Sequence, residues 1–94
     1  MNYTDNQIAE MKAKHGDIFL VEVEGKSCVL HKPKRKDLSY ASAVKDPIKM
    51  QEVLLKQLWV DGDKEILEQD DFFLAVANKM DEIIKVKEAK VKKL

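Results

Sequence analysis

A single cysteine, Cys28, stands in the 94 residues, so no internal disulfide framework holds the chain together. Net charge is also missing: 17 basic and 17 acidic side chains cancel. That balance removes the whole-molecule field that draws a protein onto DNA or an anionic membrane, and leaves only local patches. No apolar run approaches the length needed to cross a bilayer. The opening residues, MNYTDNQIAEMK, lack the basic and apolar regions of a secretory signal, so the expected address is the cytoplasm. The three glycines, at 16, 25 and 62, are scattered rather than gathered into a phosphate-binding loop.

What is present is 45% apolar and 36% charged, the mixture of a globular chain with well-solvated helix faces. The length suits one domain over residues 1–94, large enough to fold without staples. The organising stretch is Asp46 to Trp59, DPIKMQEVLLKQLW. Asp46 is placed to cap a helix whose first turn accommodates Pro47. Ile48, Met50, Val53, Leu54, Leu55, Leu58 and Trp59 fill more than one stripe, which predicts cover on more than one side.

Around this element the pattern changes period. Residues 4–14 read as a short amphipathic helix, with Thr4 and Gln7 in capping-box spacing and Gly16 as the stop. Residues 17–24 and 27–31 alternate as strands about Gly25-Lys26, a hairpin with Phe19, Val21 and Val23 on one face and Ile18 and Leu20 on the other. Such a hairpin needs cover, and its edge is available for assembly. Helical spacing returns at Leu38, Tyr40, Ala41 and Val44 and is expected to end near Lys45, before the Asp-Pro pair. Asp61-Gly62-Asp63 reads as a turn and Lys64–Leu67 as one helical turn. A last helix is expected from Asp70, which would cap it, through Ile84. Residues 85–94 read as an extended helical tail, either solvated or docking a partner through Val86, Val91 and Leu94. The expected fold is therefore α+β, with a short N-terminal helix and a β-hairpin packed on a small bundle of three helices.

Chemistry-bearing constellations are few. Asp61, Asp63 and Glu65 begin like a calcium loop, but its glycine and final glutamate positions hold Ile66 and Phe72. His15, His31 and Cys28 have no ligand-pair spacing, and residues 28 and 31 on one strand face opposite ways. Cys28 reads as a small buried hydrophobe. No nucleophile elbow or acid–base pair is recognisable, so no catalytic, cofactor or metal residues are assigned and an enzyme is not expected. The basic run Lys32, Lys34, Arg35 and Lys36 is the contact patch a nucleic acid would use. It carries no interleaved aromatics and the chain has no net positive charge, so a solvated strand-to-helix connector is the better reading and a nucleic-acid partner is not expected.

The order of these features resembles the small tail assembly chaperones of long-tailed bacteriophages and prophages. The resemblance runs over residues 16 to 88: a hairpin ending in VLHKPKRKDLSYASA, a short helix ending in KDP, then EVLLKQLWVDGD, an acidic turn and a helix opening DDFF. It implies a non-enzymatic protein of the host cytoplasm that binds the tape-measure protein, keeps its helices from aggregating and helps recruit tail-tube subunits. A client groove is expected between the central and last helices, bordered by Leu55, Trp59, Phe73 and Met80. Two other readings stay open: a small DNA-binding or regulatory protein, and a structural protein that self-assembles as a homo-oligomer.

Overall fold

The computed structural model describes residues 3–84 and 88–94. Its elements are α1 (Asp5–His15), β1 (Ile18–Val23), β2 (Lys26–His31), α2 (Arg35–Ser42), α3 (Pro47–Leu58), β3 (Trp59–Gly62), α4 (Glu65–Glu68), α5 (Asp70–Ala77) and α6 (Met80–Ile83). The fold is α+β: one antiparallel sheet in the order β1-β2-β3, with α1 against one face and the other helices on the opposite side.

Local chemistry sets most boundaries. Asp46 Oδ1 accepts from the Ile48 and Lys49 N–H groups at 2.9 and 3.1 Å, satisfying donors that α3 leaves open at its start. The Thr4–Gln7 capping box closes in both directions at 3.1 and 2.9 Å, and Gly16 ends α1 at φ +78°. Glu24 and Gly25 both take positive φ, 43° and 83°, the handedness that a two-residue hairpin loop demands. At α2 the Asp37 carboxylate accepts from the Lys34 N–H at 2.9 Å.

The core lies between the inner sheet face and the helices. Cys28 and Leu30 of β2 meet Leu54, Leu55 and Leu58 of α3, Ile66 of α4, and Phe73 and Val76 of α5. Phe19, Val21 and Val23 pack against this cluster from β1, on the face their alternation assigns.

Five expectations change. Asp61-Gly62 continues a third strand rather than turning, because Cys28 pairs with Gly62 and Val29 with Asp61. The helix expected from Asp70 to Ile84 tightens at Asn78–Lys79, where the Lys79 N–H bonds the Val76 carbonyl at 2.9 Å, dividing it into α5 and α6. Its N-cap is Gln69 and has no side-chain hydrogen bond; Asp70 is already helical. The helix before Asp46 ends at Ser42 instead of near Lys45. In the tail, residues 88–94 have no helix and are exposed, whereas residues 85–87, Val86 among them, lie outside the described residues.

Candidate functional site

Leu55, Trp59, Phe73 and Met80 do come together, but as core. Leu55 is fully buried, Phe73 and Met80 are buried, and Trp59 packs against the same cluster at the junction of α3 and β3. The groove expected between the central and last helices is thus filled by the residues that were to line it. The surplus apolar positions of α3 and α5 serve each other and the sheet, because α3, α5 and β2 converge on one cluster.

The open apolar surface lies on the other side of the sheet. Residues alternate faces along a strand, so the face opposite the core carries Ile18, Leu20 and Glu22 from β1 and Val29 and His31 from β2. The helix α1 crosses this face. Its C-terminal end sits over β2, where the His15 and His31 rings stack with centroids 5.6 Å apart and planes within 4°. Its N-terminal end reaches β3, where the Tyr3 hydroxyl donates to Asp61 Oδ2 at 3.1 Å. Withdrawal from water, this hydrogen bond and the carboxylates of Asp61 and Asp63 push the Tyr3 phenol up to about 12.

Between α1 and β1 a groove of about 520 Å³ remains, floored by Ile18, Leu20 and Val29, walled by Ile8 and Met11, and edged by Lys12. Leu20 is half exposed there, whereas Val29 is covered. The narrow Ile8–Met11 seam explains why: it spans the middle of the sheet and leaves the β1 margin open. Alternation had put Ile18 and Leu20 on this face. What it lacked was the position of α1, which decides how much of the face is shielded.

His31 anchors the start of the basic connector. Its Nε2 lies 2.8 Å from the Gln57 carbonyl oxygen and its Nδ1 lies 2.9 Å from that of Lys32. Gln57 sits in the last turn of α3, where carbonyls lack helical partners, so the imidazole ties the end of β2 to the end of the central helix. Asp37 Oδ2 is 3.9 Å from Nδ1. Lys32, Lys34, Arg35 and Lys36 are all exposed along the connector and the first turn of α2. No stacking ring lies among them, so the patch offers charge and no base platform.

Cys28 points into the core, away from His31, and is fully buried. Burial, with the Asp63 carboxylate adding to it, pushes its thiol up to about 12. Among the described residues no group of three or more His, Cys, Asp or Glu is arranged to hold a metal ion, and no helix is long and apolar enough to cross a membrane. Comparison with known proteins finds no matching family model, no matching curated protein and no matching solved structure.

Proposed function

We propose that this chain is a non-enzymatic tail assembly chaperone of a phage or prophage, holding amphipathic helices of a tape-measure protein. The reading rests on the resemblance of residues 16 to 88 to that family. The single structural observation that supports it is the α1–β1 groove, a mainly apolar trough with a charged margin. Its volume falls in the range that seats several side chains, as an amphipathic helix laid into a groove requires. Lys12 and Glu22 beside the apolar floor offer partners to both signs of charge on the polar flank of such a helix. The basic connector favours a DNA-binding reading less, since Asp37 and a neutral whole-molecule charge offset it.

The test is co-expression with the tape-measure protein, followed by affinity capture and a solubility assay. Wild-type chain is expected to keep the client soluble and to co-purify with it. Met11→Asp places a charge on the groove wall and is expected to abolish capture while leaving the thermal midpoint within a few degrees. Leu55→Ala instead removes fully buried volume, costing about 2–5 kcal/mol of stability, and is expected to weaken capture only as far as it unfolds the domain. A client that stays insoluble and unbound beside the folded wild-type chain overturns the proposal.

A further inference from the structure

We propose that β1 is a self-complementary edge that joins two copies of this chain into one continuous six-stranded sheet. The sheet order leaves β1 with a neighbour on one side only. Which of its backbone groups face outward follows from one bond: the Lys32 N–H donates to the Asp17 carbonyl at 2.9 Å, so residue 17 faces β2. Antiparallel strands alternate, hence residues 19, 21 and 23 also bond β2, and Ile18, Leu20 and Glu22 direct N–H and C=O away from it. Among the described residues these three have no backbone partner outside the β1–β2 ladder.

The edge carries a single protecting charge, the exposed Glu22. It has no proline, no lysine and no bulge, and the β1–β2 register runs unbroken from Ile18 to Val23. Space is left on both sides of it. The 520 Å³ groove flanks the outer face, and a second hollow of about 350 Å³ lies at the far end of the inner face, between Val23–Glu24 and Phe72 and Ala75 of α5. Among the described residues both hollows open beside β1, walled by α1 on one face and by α5 on the other.

The occupant is a second copy because the strand matches itself. An antiparallel pairing centred on Leu20 sets Leu20 against Leu20 and Ile18 against Glu22 of the other copy. It keeps core-facing residues on one side throughout and forms about six backbone hydrogen bonds. Leu20, half exposed in the single chain, gains cover from its own counterpart. Charge fixes the register. The α1 helix leads through Gly16-Asp17 directly into Ile18, so Lys12, one turn from its end, lies toward the Ile18 end of the groove. The partner's Glu22 arrives at that end, and each copy thus supplies a Lys12 to the other's carboxylate. This inference rests on the strand edge and not on the proposed client binding, although the dimer draws on Lys12, Leu20 and Glu22 of the same groove.

Sedimentation velocity and light scattering over a concentration series test this. The wild-type chain is expected to be a reversible dimer. Leu20→Lys sets like charges across the two-fold and is expected to raise the dissociation constant at least about tenfold, with an unchanged far-ultraviolet spectrum. Leu20→Pro removes an outward N–H and is expected to give a folded monomer, whereas Val21→Pro removes a ladder donor and is expected to unfold the hairpin. Lys12→Glu is expected to weaken the dimer about threefold to fivefold, and Lys12→Glu combined with Glu22→Lys to restore it. A wild-type monomer at every concentration overturns the proposal, as does a trimer or larger ring. So does a dimer that Leu20→Lys leaves intact, or a charge swap that fails to restore association.

Discussion

Substituting Gly62 by alanine is expected to be among the most damaging single-methyl changes in the chain. Gly62 pairs with Cys28 where β3 meets the central strand, at φ +151°. A Cβ there would stand 2.5 Å from Cys28 Cα, 2.6 Å from Cys28 Cβ and 2.7 Å from the Ser27 carbonyl oxygen. Two of these are backbone atoms of β2, which is bonded on both sides and cannot retreat without breaking a ladder. Overpacking of this kind costs about 1–3 kcal/mol, and a backbone conformation that L residues rarely adopt adds about 1–3 kcal/mol. Together they reach roughly 2–6 kcal/mol, against a total stability of about 5–14 kcal/mol for a domain of this length. A 3 kcal/mol loss lowers the thermal midpoint by roughly 12–24 °C. Gly25→Ala provides the internal control: φ is +83°, but no atom lies within 4 Å of its Cβ, so only the backbone term applies. Urea and thermal unfolding followed by circular dichroism and Trp59 fluorescence would measure both. Equal losses in the two variants would refute the clash, and a midpoint shift below about 4 °C in Gly62→Ala would refute the whole account.

Three further outcomes follow from the structure. Cys28 is expected to resist thiol reagents at pH 8 in the native protein and to react at the rate of unfolding; rapid stoichiometric labelling would contradict its burial. Its thiol, pushed to about 12 in the fold against an ordinary 9, contributes stability fully present below pH 9 and lost as pH rises towards 12. The loss is on the order of 4 kcal/mol, so wild type should lose stability more steeply than Cys28→Ala across that window in pH-dependent urea titrations. Asp46→Ala removes the acceptor of two N–H groups at the start of α3 and should cost about 0.5–2 kcal/mol, with Asp46→Asn retaining most of it in the same assay.

Short-range chemistry was legible in the residues. The Thr4–Gln7 box, the Asp46 cap with Pro47 behind it, the Gly16 stop and the hairpin about Gly25 all follow from groups a few positions apart. Such interactions compete only with water and neighbouring backbone, so spacing alone specifies them. The inward set Phe19, Val21 and Val23 was equally readable, because strand alternation has a fixed period of two.

What escaped the sequence was decided by partners distant in the chain. Asp61-Gly62 has turn composition, yet it is a strand because Cys28 and Val29, more than thirty positions earlier, present an unfilled edge and Gly62 lets the two backbones approach. Apolar content could not distinguish a client groove from a core. Leu55, Phe73 and Met80 are buried because α3, α4, α5 and β2 converge on one cluster, whereas Ile18 and Leu20 stay accessible because α1 is too narrow to cover the sheet margin. The sequence by itself determined α1 and its capping box, the β1–β2 hairpin, the Asp46 cap of α3 and the face that β1 buries. Only the tertiary structure decided which apolar faces found cover, since burial depends on long-range pairings that no local spacing encodes.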